Sequence, residues 1–309
     1  MLYILTACFI LIFLLFFTSY LLYRGVFYYP PKKHVDPHQI PDDMLYAPYK
    51  NAMLPLLLEM EQTPYEEVSI SSQDGISLCG RLYLFCPDAP LMLFFHGYHG
   101  TFLWDGLGSF RLCKKNHINL LVVDERSHGK SAGQIITFGI RECRDVKSWT
   151  DYTAKRFPGK KLILSGVSMG SASVMMASAL SLPSSTIALI CDCGYTAPAE
   201  IIKETILSFH LPVSICYALL YFGALVFGHF NLSELTALSA VKQAQIPILF
   251  IHGEKDSIVP TKMCDELYAA CASRKKKLII PNSQHAVNAM SDFDSYEREI
   301  LNFLIESGI

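Results

Sequence analysis

One short stretch near the middle of the chain constrains its fold more than any other. Residues 161–165 form an apolar strand pattern, and residues 171–177 are small and apolar helix formers. Between them stands Gly166-Val-Ser168-Met-Gly170, a G-x-S-x-G pattern. Small residues two positions either side of a serine allow a sharp strand-to-helix turn, which lifts the serine hydroxyl above the sheet edge. The stretch therefore predicts a strand, a tight turn at Ser168 and a helix whose free N–H groups point towards the same place.

Strand and helix patterns alternate around this turn. Further strands are predicted at residues 67–71, 77–85, 91–95, 120–123, 187–191, 248–251 and 277–280, and helices at 141–157 and 294–306. Several of these strands are continuous apolar runs, which is typical of strands covered on both faces. The alternation predicts an α/β fold over residues 65–309, with a doubly wound, mostly parallel sheet.

One segment interrupts the alternation. About fifty residues separate the strands at 187–191 and 248–251, where a single crossover helix would be enough, and residues 215–227 among them are nearly all apolar. Insertions at the carboxyl ends of strands lie over the ligand crevice of such a sheet. We therefore expect residues 196–245 to form a helical cap. The apolar run is short for a second membrane span, although a helix that dips into the membrane fits its length.

The N-terminus has the composition of a membrane segment. Residues 2–22 are almost wholly apolar, and about 20 apolar residues cross a bilayer core as a helix. Residues 1–28 are thus predicted to be a transmembrane anchor. A cleaved signal peptide would need a basic start and a small-residue exit, and neither is present. Residues 29–64 are rich in proline and predict a linker with a short helix near 54–61, which lifts the domain away from the membrane.

Composition excludes several classes of function. The formal net charge is -2 with a pI near 6.5, so no nucleic-acid partner is indicated. The basic run at residues 274–277 is interpreted as a solvated loop. The ten cysteines form no C-x-x-C pair, which predicts no metal site and fits a reducing compartment. No phosphate-binding or dinucleotide fingerprint opens a helix, so no cofactor is expected.

An acid and a histidine follow two later strands. Asp256 comes after the strand at 248–251, and His285 comes after the last strand. A serine hydroxyl is a weak nucleophile that needs an adjacent base, and that base needs an orienting acid. Ser168, Asp256 and His285 meet this requirement in an order that suits the fold. Asp192, at the end of the strand before the insertion, remains a second candidate for the acid.

These motifs resemble those of the serine hydrolases of the α/β-hydrolase superfamily, over roughly residues 67–309. The motifs are His96-Gly97, Gly166–Gly170, His252-Gly-Glu-Lys-Asp256, His285 and Asp124-Glu-Arg-Ser-His-Gly-Lys-Ser131, which looks like D-x-R-G-x-G-x-S. The most similar subgroup is the cap-bearing, membrane-anchored esterase and serine-aminopeptidase-like set. The resemblance implies the fold and the order serine, acid, histidine, and it leaves the substrate open.

Two backbone donors and two side chains complete the expected site. Charge that develops on an acyl oxygen needs preorganised donors. One is the N–H of Met169, after the serine, and the other comes from the loop after the third strand, where Tyr98 N–H is the candidate. His99 and Tyr195 are the side chains expected to touch a substrate.

The leading expectation is a membrane-anchored serine hydrolase that cleaves a carboxylic ester or related acyl bond of a small-molecule or lipid-like substrate. Peptidase or thioesterase use of the same triad is an alternative, and so is a catalytically silent, membrane-bound interaction module. Arg24, Lys32 and Lys33 follow the span and no basic residue precedes it. Because basic residues near a span tend to stay in the cytoplasm, a cytosolic catalytic domain is predicted.

Overall fold

The computed structural model describes residues 1–30, 39–42 and 44–308, so the basic residues Lys32 and Lys33 lie outside the described residues. Within these ranges, eight strands form a single sheet in the order β1-β2-β4-β3-β5-β6-β7-β8. The strands are β1 Glu66–Ser71, β2 Ser77–Tyr83, β3 Leu91–Phe95, β4 Asn119–Val123, β5 Leu162–Val167, β6 Thr186–Asp192, β7 Ile248–Gly253 and β8 Lys275–Ile280.

The sheet is parallel except at one edge. β2 pairs antiparallel with both β1 and β4, whereas every neighbouring pair from β4 to β8 is parallel. Every residue of β3, β4, β5 and β7 is buried, as expected for strands with helices on both faces. The predicted doubly wound, mostly parallel α/β sheet is confirmed.

Helices cover both faces of this sheet, and three more of the described helices lie outside these two layers. They are α1 Leu2–Val26, α2 Lys50–Gln62, α3 Phe102–Asp105, α4 Leu107–Lys115, α5 Glu142–Arg156, α6 Met169–Ala177, α7 Pro198–Ser208, α8 Val213–Val226, α9 Ala237–Val241, α10 Thr261–Ala270, α11 Asn288–Ser291 and α12 Phe293–Glu306. One apolar layer is built from α2, α4 and α12, and the other from α5, α6, α9 and α10.

The end of α1 is part of the folded domain. Among the described residues, α1 is the one helix that is long and apolar enough to cross a membrane, judged by length and composition. Its second half packs along α8, where the Ser19 hydroxyl donates to the Leu219 carbonyl at 2.6 Å. Gly223 allows this approach, because a Cβ atom there would lie 2.9 Å from the Ser19 carbonyl oxygen. The crossing is therefore tight, with small residues on both helices.

The chain stays attached to the domain after α1 ends. The Tyr29 N–H donates to the Gln134 carbonyl at 2.8 Å, and Tyr28 forms a β-bridge with Ile135. Phe27 is fully buried between the rings of Phe138 and Phe230. The expectation that residues 29–64 lift the domain away from the membrane is therefore wrong, because the chain is bonded to the domain as soon as α1 ends.

Three other predicted boundaries need correction. The short helix expected near 54–61 is α2, which is longer and packs in the core beneath the sheet. The cap expected at 196–245 ends too late, because α9 packs against α6 and α10 in the second core layer. The helices α7 and α8 pack in a third apolar cluster together with Met169, and we call these two helices the cap. Residues 275–277, expected in a solvated loop, begin β8, an edge strand on which Lys276 is half-buried, Lys277 is exposed, and both pair with acidic groups.

The burial of Phe27 gives a test of how far α1 belongs to the domain. Phe27→Ala should lower the free energy of unfolding by about 3–5 kcal/mol, because it leaves a cavity among packed aromatic rings. Thermal unfolding of the purified full-length protein in detergent micelles measures this loss. Phe9→Ala, on the exposed part of the same helix, is the matched control and should change little. Equal stability of the two variants would contradict the packing described here.

Candidate active site

The turn at Ser168 is as tight as the sequence predicts. Ser168 has φ 53° and ψ -115°, a strained backbone conformation, and its N–H donates to the Asp192 carbonyl at 2.9 Å. A Cβ atom on Gly166 would lie 2.5 Å from the Gly170 carbonyl carbon, and one on Gly170 would lie 2.1 Å from the Phe95 oxygen. Both glycines are therefore required, because β5, α6 and the end of β3 meet too closely for a side chain.

Three side chains form a hydrogen-bonded chain at this turn. The Ser168 hydroxyl lies 2.8 Å from Nε2 of His285, and Nδ1 of the same ring lies 2.7 Å from Oδ2 of Asp256. A carboxylate only accepts hydrogen bonds, so Nδ1 carries the ring proton and leaves Nε2 to accept from the serine. This geometry suits removal of a proton from the hydroxyl during nucleophilic attack.

The Asp256 carboxylate is buried and fully satisfied. Its Oδ1 accepts hydrogen bonds from the N–H groups of Ile258 and Val259, at 2.9 and 2.8 Å, and its Oδ2 also lies 3.2 Å from Nε2 of His252. Burial acts to raise the pKa of Asp256, but the bonds and charges of His252 and His285 outweigh it and hold that pKa below its ordinary value. Asp256 is therefore ionised at neutral pH.

His252 is the histidine that supports the acid. Burial acts to lower the pKa of His252, but its bond with Asp256 outweighs this and raises the pKa to about 10. Its Nε2 also faces the Val259 carbonyl at 2.9 Å, an acceptor that requires a proton on this nitrogen. In the sequence His252 is only the first residue of the motif that ends at Asp256, and the structure shows its ring in contact with the carboxylate itself.

The rival acid, Asp192, has a different partner. Its Oδ1 accepts a 2.6 Å hydrogen bond from the Asn288 amide, and burial raises its pKa. Among the described residues, the carboxylate bonded to His285 is that of Asp256. Geometry therefore favours Asp256 as the orienting acid.

Cys193, Asp256 and His285 present ligand atoms within 4.8 Å of one another, a grouping that could hold a metal ion. Asp256 and His285 are already bonded to each other. Burial raises the pKa of the Cys193 thiol well above its ordinary value, which disfavours the thiolate that a metal requires. The grouping fits a hydrogen-bonded triad better than a metal site.

Two backbone N–H groups beside Ser168 are free to bind an oxygen. Within the described part of the chain, neither the Tyr98 N–H nor the Met169 N–H donates a hydrogen bond to another protein atom. Gly97 lies directly against the serine, since a Cβ atom there would be 3.3 Å from the Ser168 Cβ atom. The loop after β3 and the start of α6 therefore both present free donors next to the hydroxyl.

The residues that hold this loop could not be recognised from the sequence. The Asp105 carboxylate accepts the Gly97 N–H at 2.8 Å with one oxygen and the Tyr46 hydroxyl at 2.7 Å with the other. The turn also brings Gly100 so close that a Cβ atom there would lie 2.3 Å from the carboxylate. Tyr46 stands in the proline-rich segment and Asp105 in a helix of four residues, and neither carries a motif.

The two residues expected to bind substrate have different surroundings. His99 is exposed, and its ring stacks between those of Tyr98 and Tyr29, with centroids 3.8 and 4.4 Å away. Tyr195 is only 2% exposed and packs in the apolar cluster that contains Met169. The expectation for Tyr195 is thus not supported by its placement, because neighbouring apolar side chains cover it. The Tyr98 ring packs at the end of α1, where its hydroxyl donates to the Val26 carbonyl.

Part of the chain matches a known family, and distant relatives match over longer stretches. The family model described as "Serine hydrolase (FSH1)" matches residues 189–295. The chain is 23% identical over 188 residues to the uncharacterized protein YqkD of Bacillus subtilis. The aligned region covers 60% of this chain and 62% of YqkD, which is less than two thirds of the length of YqkD. It is 25% identical to the uncharacterized membrane protein YNL320W of Saccharomyces cerevisiae, over 79% of this chain and 81% of that one.

A solved structure shares the fold. The Pyrococcus furiosus esterase Pf2001 superposes with a TM-score of 0.67 at 18% identity, over 91% of this chain and 99% of that one. At this identity the likeness shows the α/β-hydrolase fold alone.

The two candidate acids can be separated by amide substitution. Asp256→Asn should lower kcat by a factor on the order of 10⁴, because an amide that donates to Nδ1 favours the wrong imidazole tautomer. Asp192→Asn is the matched control and should cost far less, since its carboxylate bonds to Asn288. Steady-state hydrolysis of a short activated ester, by variants shown to be folded by circular dichroism, measures both. A larger loss in Asp192→Asn would reverse the assignment.

Proposed function

We propose that the chain is a serine hydrolase of the α/β-hydrolase superfamily, which hydrolyses a carboxylic ester or related acyl bond through an acyl-enzyme on Ser168; the matched family model and the shared fold support this. His285 is the general base and Asp256 the orienting acid. The observation that carries this proposal is the continuous hydrogen-bonded chain from Ser168 Oγ through His285 to Asp256, with distances of 2.8 and 2.7 Å.

The first half of the reaction follows from this geometry. Ser168 Oγ attacks the acyl carbon while its proton moves to Nε2 of His285, and the Asp256 carboxylate stabilises the imidazolium that forms. The N–H groups of Tyr98 and Met169 donate to the oxyanion of the tetrahedral intermediate. The intermediate collapses to the acyl-enzyme when the bond to the leaving alcohol breaks, and His285 supplies the proton that this oxygen needs.

The second half repeats the same steps with water. His285 takes a proton from a water molecule, whose oxygen attacks the acyl carbon on Ser168. The bond to Ser168 Oγ then breaks, and the serine recovers its proton from His285. The products are a carboxylic acid and an alcohol, and no cofactor takes part in these steps.

Hydrophobic acyl groups suit the surroundings of this triad. Met169, which follows the serine, belongs to an apolar cluster with Phe138, Leu220 and Phe27 from three other parts of the chain. This surrounding favours a lipid-like or apolar small-molecule substrate over a polar one. Amide and thioester substrates can use the same triad.

Membrane anchoring by α1 completes the proposal. The residues of α1 before Ser19 are exposed and mostly apolar, as expected for a helix surrounded by lipid. Arg24 follows the apolar run, and basic residues near a span tend to stay in the cytoplasm, which favours a catalytic domain on the cytosolic side.

Removal of the hydroxyl tests the nucleophile and separates an enzyme from a silent interaction module. Ser168→Ala should lose labelling by a fluorophosphonate probe and should lower kcat by several orders of magnitude, because no acyl-enzyme can form. Ser178→Ala, just after α6, is a control that should keep both activities. If wild-type protein is folded but neither labels nor hydrolyses any activated ester, the silent module is the better account.

Acyl chain length tests the apolar surroundings of the site. Each methylene that becomes buried contributes about 0.8 kcal/mol, which corresponds to about a fourfold rise in kcat/KM per carbon. We expect kcat/KM to rise along a series of p-nitrophenyl esters from acetyl to longer acyl groups and then to reach a plateau. A preference for acetyl over every longer chain would count against an apolar acyl site.

Protease protection tests the proposed sidedness. With the domain in the cytosol, protease added to intact cells or spheroplasts should leave it uncut, because the membrane shields it. Lysis with detergent should then expose it to digestion, which is the internal control. Digestion of the domain before lysis would place the active site outside.

A further inference from the structure

The cap has an exposed apolar surface next to α1. On α8 the exposed positions Ile215, Ala218, Phe222 and Leu225 are spaced three or four residues apart, so they form one stripe along the helix. The end of α7 and the turn that follows it add three exposed apolar side chains. We call these seven residues the cap face, and they are Leu207, Phe209, Leu211, Ile215, Ala218, Phe222 and Leu225.

Charge is absent from this part of the chain. From residue 205 to residue 233 the sequence contains no Asp, Glu, Lys or Arg. The charged residues of α7 are all among its first seven residues, where Lys203 pairs with Glu200 and Glu204 pairs with Lys262. The polarity of the cap therefore changes sharply along α7, from a charged start to an uncharged and apolar end.

Part of the cap face contacts α1 well inside its apolar stretch, away from both ends of the helix. The ring of Phe222 lies 6.2 Å from that of Phe16, and the two residues are 42% and 46% exposed. Phe227, at the end of α8, also packs on Phe16 with centroids 5.0 Å apart. At 1.5 Å per residue, Phe16 lies about 20 Å from the start of α1. If the helix enters the bilayer near residue 2, Phe16 therefore lies within the hydrocarbon core, which is about 30 Å thick.

We infer that the cap face lies in the hydrocarbon region of the same bilayer that α1 crosses. A side chain in contact with Phe16 shares its depth, and the exposed surfaces of Phe16 and Phe222 form one continuous apolar surface. Lipid is the occupant that matches a stripe without charge beside a membrane helix. This inference rests on the proposed anchoring by α1 and is independent of the catalytic assignment.

The buried side of α8 connects the cap face with the surroundings of Ser168. Leu220 and Ala224 face inward and belong to the same apolar cluster as Met169, the residue after Ser168. One helix thus separates lipid on its outer side from the surroundings of the serine on its inner side. The active site is held at the membrane surface by two elements rather than by a single flexible tether.

Site-specific photocrosslinking in the full-length chain tests the inference without requiring catalysis. p-Benzoylphenylalanine replaces Phe222 or Phe209 in protein reconstituted into liposomes of phosphatidylcholine and phosphatidylglycerol, and lipid adducts are counted by mass spectrometry after irradiation. Phe9 in α1 is the anchor control, and Ile305, an exposed apolar residue on α12, is the control for an aqueous surface. We expect adducts at residues 9, 209 and 222, and at least tenfold fewer at 305.

The controls distinguish the ways in which the inference can fail. If residue 9 forms lipid adducts but residues 209 and 222 form no more than residue 305, the inference about the cap face is overturned. The anchoring by α1 would then still stand. A lack of adducts at residue 9 as well would overturn both. The Ser168→Ala chain should give the wild-type pattern, so a failure of the proposed catalysis would leave the adducts unchanged and would be recognised separately.

Discussion

The close contact of three backbone segments at Ser168 is the constraint on which the site depends. Gly170 touches the end of β3, and Gly166 touches Gly170, so β5, α6 and β3 can meet only in the absence of side chains. The same contact that shapes the serine turn therefore also brings the loop after β3, with the Tyr98 N–H, beside the hydroxyl. Parallel pairing then places Asp256 and His285, which follow β7 and β8, at the same edge of the sheet.

Much of this could be predicted from the sequence because it depends on local chemistry. β3 and β5 are apolar runs of a length that suits buried strands, and the glycine spacing around Ser168 has one structural explanation. β8 was harder to predict. Lysines at residues 275–277 look like a loop, but an edge strand is solvated on one side and tolerates them. The run of apolar residues alone therefore predicted a strand that is too short.

The remaining features depend on contacts between distant parts of the chain. The sequence predicts that Phe27 belongs to the end of a membrane helix. In the structure it is a core residue, because the rings of Phe138 and Phe230 pack against it. Asp105 and Tyr46 hold the loop at Gly97 through single hydrogen bonds that leave no trace in residue spacing. In each case the sequence shows the residue but not its partner.

The central claim is that acyl transfer passes through Ser168, and trapping the intermediate tests it most directly. The protein is mixed with an excess of a p-nitrophenyl ester, quenched in acid within milliseconds and digested with trypsin. We expect a burst of p-nitrophenol close to one equivalent per enzyme, with the acyl mass on the tryptic peptide that begins at Leu162, localised to Ser168. Product formation by the same protein with no acyl group on Ser168, or with the group on another residue, would contradict it.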